Sequence, residues 1–100
     1  MIRAKFRIGE TSADVLILGH AGGEYGTDVV CAAVSSAACM AANTVTEILG
    51  VKARAETADG YLHFSFSGSK AAADVIRGLQ LHLEQLQGDH PAKVKVTTEE

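Results

Sequence analysis

The sequence predicts one α+β domain over residues 1–100, a two-layer ββαββαβ arrangement in which a single sheet carries two helices packed on one face. Three observations predict it. Four of the five strand-like segments have one apolar and one polar face, which leaves one side of a sheet to be covered. Two longer segments each hold a single apolar stripe at helical spacing. One hundred residues with 47% hydrophobic content are enough for one core and too few for two.

Taken in order, Ile2, Ala4, Phe6 and Ile8 alternate with Arg3, Lys5 and Arg7, the pattern of a half-buried strand. Gly9 to Ala13 supply a turn. Asp14-Val15-Leu16-Ile17-Leu18 returns as a second strand, and its near-continuous apolar character suggests an interior position or a second buried face. A glycine-rich segment follows, then a helix starting near Thr27 or Asp28, both good N-cap residues. Its apolar stripe is Val30, Ala33, Val34, Ala37, Ala41, Val45 and Ile48, and Gly50 ends it. Val51 to Thr57 alternates, Ala58-Asp59-Gly60 forms a turn, and Tyr61 to Ser67 alternates with Leu62, Phe64 and Phe66 inward, a second hairpin. Ser69 caps a second helix with Ala72, Val75, Ile76, Leu79, Leu83 and Leu86 on its stripe, which Gly88 and Pro91 close. Lys93 to Thr97 is a last short strand with its lysines toward water, and Thr98, Glu99 and Glu100 form a tail. The open face of the sheet, or the edge of the second strand, is the expected place for a partner subunit.

Composition narrows the function. The net charge is −3, nine bases against twelve acids, which argues against nucleic acid as a direct partner and suits a basic peptide better. The first residues show no charged-then-apolar leader, and polar residues interrupt the longest apolar runs, so a cytoplasmic protein that does not span a membrane is expected. Aromatic residues make up 5% and there is no tryptophan, so the core is built from small aliphatics and gains from dimerisation. Cys31 and Cys39 lie eight residues apart on one predicted helix, roughly 12 Å along its axis at ~1.5 Å per residue. They are too far apart to be joined in a disulfide, so both are expected as free thiols.

The chain is organised around Gly19-His20-Ala21-Gly22-Gly23-Glu24-Tyr25-Gly26-Thr27-Asp28-Val29-Val30-Cys31, which reads as a strand end, a loop and a helix start. The positive end of a helix favours a thiolate, and Cys31 falls in or near the first turn. At ~100° per residue, Asp28, Cys31 and Ser35 gather within about 60° of one another around the helix. His20 can fold over that helix start as general base or imidazolium partner to Cys31, with Asp28 as the better candidate to orient its ring. Gly19, Gly22, Gly23 and Gly26 give the loop hinge points to close on a substrate.

Plainer readings stand beside these. A cysteine in an alanine-rich helix is commonly a small buried hydrophobe, the reading adopted for Cys39. Asp28 serves equally as an N-cap, and Ser35 as a small packing residue. A glycine-rich loop before a helix can cradle phosphate, but neither a P-loop lysine nor the dinucleotide spacing is present. A metal site from His20, Cys31, Cys39 and His63 lacks ligand spacing, and His63 is expected on the wet face of its strand with Tyr61 and Ser65. No metal or cofactor is therefore expected. His82 and His90 read as surface residues.

At Gly19-His20-Ala21, Glu24-Tyr25-Gly26 and Asp28-Val29-Val30-Cys31-Ala32, with Ser35 also in place, the sequence resembles the ribosomal-processing cysteine proteases, the Prp family. The strand and helix order resembles that family across the whole chain. The segment between His20 and Cys31 departs from the hallmark in being one residue shorter at Gly22-Gly23, which bears on loop closure and substrate fit. The resemblance implies a cytoplasmic homodimeric endopeptidase that removes a short N-terminal extension from a basic large-subunit ribosomal protein near the peptidyl transferase centre. By matching position it makes Cys31 the nucleophile and His20 its partner, supported by Asp28 and Ser35, with Gly22, Gly23, Glu24, Tyr25 and Gly26 as the substrate loop. The alternative from another class is a non-catalytic, ribosome-associated peptide-binding module in which that loop only clamps a peptide.

Overall fold

In the computed structural model, which describes residues 1–20 and 29–99, the order of elements is the expected ββαββαβ. Strands β1 (Ile2–Ile8) and β2 (Ala13–Leu18) are followed by helix α1 (Val29–Asn43), which continues as one π turn over Thr44–Ile48. Then come β3 (Arg54–Ala58), β4 (Tyr61–Phe66), α2 (Lys70–Asp89) and β5 (Val94–Glu99). The five strands form one mixed sheet in the order β3-β4-β2-β1-β5. All neighbours are antiparallel except β1 and β5, which run parallel because α2 carries the chain back across the sheet.

The alternation in β1 sets the two faces. Ile2, Ala4 and Phe6 are buried under the helices while Arg3, Lys5 and Arg7 face out, and Ala13, Val15 and Ile17 of β2 join the inner side. Phe64 and Phe66 of β4 extend it, their rings meeting edge to face at 5.9 Å. From the helix layer come Val30, Val34, Ala38 and Ala41 on α1 and Ala72, Ile76, Leu79 and Leu83 on α2. The full burial of Leu83, Ile76 and Phe6 makes them the largest anchors of this core.

Four expectations need correction. The second strand offers no edge: β2 lies between β1 and β4, and the sheet ends at β3 and β5. Its apolar run is explained by this interior position. Ile48 does not belong to the buried stripe of α1 and is 76% exposed. The π turn, marked by Leu49 N–H donating to Thr44 O at 2.9 Å, widens the last turn and rotates Ile48 away from Val45, which stays buried. The third strand begins at Arg54 rather than Val51, because Val51 N–H is taken by Val45 O at the helix end. Thr98 and Glu99 are no tail, since they pair with Phe6 and Arg7, and the Glu99 carboxylate reaches Lys5 at 3.3 Å and Arg7 at 3.2 Å.

Helix α1 is apolar on more than its buried side. The stretch Val29–Ile48 is long and apolar enough by length and composition to cross a membrane, and the greater part of it lies outside the core. Val29 and Met40 stand outside the core at 74% and 67% exposure. The layer of helices also stops short of β3, whose five residues are all exposed.

Candidate functional site

The uncovered strand creates a groove. Because α1 and α2 cover the sheet from β5 to β4 and no further, the inner faces of β3 and β4 and the near side of α1 form the walls of an open cleft of about 1030 Å³. Ala55, Thr57, Leu62 and Phe64 line the sheet side, where the pairing of Ala55 with Phe64 and Thr57 with Leu62 puts all four on one face. Cys31, Ser35, Cys39 and Asn43 line the helix side. These four recur every fourth residue, so they form one row that drifts about 40° per step around α1. The row neighbours the buried one through Val30, Val34 and Ala38, and therefore sits at the rim of the core.

His20 closes one end of the groove. The β2–β4 pairing runs to Leu18 and Tyr61 and is extended by Gly19 N–H donating to Gly60 O at 2.9 Å. At φ +94°, a side chain on Gly19 would be strained, and its Cβ would stand 2.5 Å from Met1 O, so only glycine fits this turn out of the strand. The next residue is thereby delivered over the β3–β4 turn. His20 Nε2 lies 3.9 Å from Asp59 Oδ1, and the ring rests against Gly60, where a Cβ would come within 2.7 Å of Nε2. Both His20 and Cys31 line this same groove.

Cys31 is half-buried and packs against the core's edge, within the first turn of α1 as described from Val29. Ser35 is exposed in the groove one turn on. Cys39 corrects the expectation of a buried hydrophobe: it is exposed and lines the groove too, because its row on α1 faces the strands that no helix covers. Asp28, the expected helix start at Thr27 or Asp28, and the loop residues Gly22, Gly23, Glu24, Tyr25 and Gly26 lie outside the described residues.

Asp59 is the residue that sequence reasoning missed. In the sequence it reads as part of the turn between the third and fourth strands with no chemical role, and in the fold it is the carboxylate that faces His20 among the described residues. The signal was indirect. An Asp-Gly turn starts β4, and only the β2–β4 pairing, which sets Leu18 opposite Tyr61, brings that turn under the end of β2. His63 goes the other way: it faces out beside Leu16, with Nε2 3.0 Å from Asp14 Oδ1, so the sheet separates it from Cys31 and Cys39.

A groove of this kind has an apolar floor for side chains, a thiol and a hydroxyl on one wall, and an imidazole at one end. Its helix wall runs from Cys31 to Asn43, about 18 Å at ~1.5 Å per residue, and among the described residues β3 is an edge strand of the kind that an extended peptide can pair with.

A family model described as cysteine protease Prp matches residues 1–95. No curated protein sequence matches the chain. Among solved structures, the ribosomal processing protease Prp of Staphylococcus aureus, in complex with a covalently linked product peptide, aligns with a TM-score of 0.86 at 22% identity, covering 99% of this chain and 100% of that one. The same protease in complex with a substrate peptide gives 0.83 at 21% identity, with coverage of 99% and 100%. SMU.848 from Streptococcus mutans gives 0.73 at 28% identity, covering 98% of this chain and 93% of that one.

Proposed function

The chain belongs to the cysteine protease Prp family, and from that premise we propose that it is a cysteine endopeptidase that removes the N-terminal extension of a basic large-subunit ribosomal protein, with Cys31 as nucleophile and His20 as its partner. The observation that carries this reading is the placement of His20 and Cys31 on one groove shaped for an extended chain. The Staphylococcus aureus Prp structures with substrate and product peptides support a peptide as the occupant.

In the proposed reaction the Cys31 proton passes to the His20 imidazole and the thiolate attacks the scissile carbonyl. The imidazolium then protonates the leaving amine, and water, deprotonated by the same ring, releases the acyl group and restores the thiol. Asp28 and Ser35 act in support, and Gly22 to Gly26 close over the peptide. The enzyme works in the cytoplasm as a homodimer, a reading that the exposed apolar side of α1 supports.

Mass spectrometry of the candidate ribosomal protein after incubation with the chain tests the proposal. Wild type shortens the protein by its extension, and Cys31→Ala leaves it intact with an unchanged circular dichroism melt. Cleavage by Cys31→Ala at the wild-type rate would remove Cys31 from the mechanism.

A further inference from the structure

The β3–β4 turn, a two-residue Asp-Gly hairpin in which Gly60 at positive φ belongs to the turn itself, meets the imidazole at two points. Gly60 has φ +67°, and the His20 ring occupies the space where a side chain would start, 2.7 Å from its Cβ position to Nε2. Asp59 presents its carboxylate 3.9 Å from that same nitrogen. We propose that the Asp59-Gly60 turn is the seat of the catalytic imidazole: Gly60 fixes where the His20 ring lies, and Asp59 holds its Nε2 side, leaving Nδ1 for the Cys31 thiol. The inference rests on the reading of His20 and Cys31 as the reacting pair, and it makes Asp59 and Gly60 positioning residues.

The separation of 3.9 Å exceeds a hydrogen bond and lies within ion-pair reach, so the attraction arises when the ring is charged. That is the state in which it is needed. When the Cys31 S–H proton moves to Nδ1, Nε2 keeps its own hydrogen, the ring becomes an imidazolium and the sulfur a thiolate. A carboxylate on the Nε2 side favours that ion pair over the neutral one, and it also opposes a ring flip that would turn Nε2 toward the thiol. The pair is open to water, with the His20 and Asp59 side chains 61% and 98% exposed, so its effect is a few-fold and is screened by salt. Exclusion of any side chain at Gly60 is steric and carries the larger share.

Two measurements test the seat. In the NMR spectrum of the full chain, the His20 ring protons show an NOE to the Gly60 Hα protons in wild type and in Asp59→Asn. In cleavage kinetics on a peptide copying the ribosomal extension, Asp59→Asn lowers kcat about three- to fivefold with KM unchanged, the scale of an exposed ion pair, and 0.5 M salt brings wild type toward the variant. Gly60→Ala lowers kcat about tenfold or more. Backbone strain is controlled by Gly50→Ala, at φ +65° with nothing within 4 Å of its Cβ position, which carries the same conformational penalty and keeps kcat within about twofold of wild type. Absence of the NOE in wild type, or equal kcat in Gly60→Ala and Gly50→Ala, overturns the inference while the protease reading stands. A wild type that shows the NOE but cleaves no peptide overturns the protease reading and supports the seat as a structural feature.

Discussion

At the residue scale, the groove changes what the two cysteines can tell. Cys31 and Cys39 lie on one row of α1 and both line the groove, Cys31 half-buried and Cys39 exposed. Accessibility alone therefore favours modification of Cys39. Activation by a helix start and an imidazole favours Cys31, since the thiolate is the species that reacts. Alkylation by iodoacetamide at neutral pH, followed by peptide mapping, is expected to label Cys31 at least about tenfold faster than Cys39, against the order of exposure. Faster labelling of Cys39 would mean that His20 does not activate Cys31, and would favour a module that binds peptides without cutting them. At the same scale, Gly19 and Gly60 are joined by one backbone hydrogen bond and excluded from side chains for different reasons: a Cβ on Gly19 would meet Met1 O at the start of β1, and one on Gly60 would meet the His20 ring.

At the scale of elements, α2 shows how a helix start is secured. Ser69 Oγ accepts from Ala72 N–H at 3.1 Å, a cap of the kind that contributes about 1 kcal/mol. One turn further, Asp74 receives Lys70 Nζ at 3.0 Å and Arg77 Nη1 at 2.9 Å, while Arg77 Nη2 donates to Gly9 O at 2.7 Å and ties α2 to the β1–β2 turn. The Lys70 hydrogen bond, with the charges of Lys70 and Arg77, holds the Asp74 carboxyl below its ordinary value of 3.8. A carboxyl with a depressed folded-state pKa adds stability above its unfolded value, and that contribution is lost as pH falls through the folded one. Asp74→Asn is therefore expected to melt slightly below wild type near neutral pH, with the gap shrinking below about pH 4 and closing further into acid. Thermal melts by circular dichroism across that range check it, and a gap that stays constant with pH would place the contribution elsewhere than in the charge.

At the scale of the whole molecule, the helix layer is too narrow for the sheet, and two consequences follow. On the inner side it leaves β3 bare, and that is the groove. On the outer side α1 keeps apolar residues in water: Val29 and Met40 are eleven positions apart, about 20° of rotation, and so share one line along the helix. A second copy of the chain is the occupant proposed for that line. In sedimentation equilibrium the 10.4 kDa chain is expected as a dimer, and Met40→Asp as a monomer with its melt little changed. A monomeric wild type at micromolar concentration would rule out the dimer.

What the sequence by itself determined was most of what periodicity records, with Ile48 and the start of β3 as the exceptions. Alternation in β1 and β4 and the stripe of α2 are local patterns, and each element forms where its pattern lies, down to the Ser69 cap. The order ββαββαβ comes from the same source, whereas the proposal of His20 and Cys31 rests on the glycine-rich segment between a strand end and a helix start and on a family hallmark that is itself a string of residues. Only the tertiary structure decided how the strands are ordered, because pairing is non-local: nothing in β2 says that β4, more than forty residues on, is its second neighbour. That order puts β3 at an edge beyond the reach of the helices, turns Cys39 from a core residue into a groove residue, and carries Asp59 beneath His20. A carboxylate found by pairing across the sheet leaves no spacing to read along the chain.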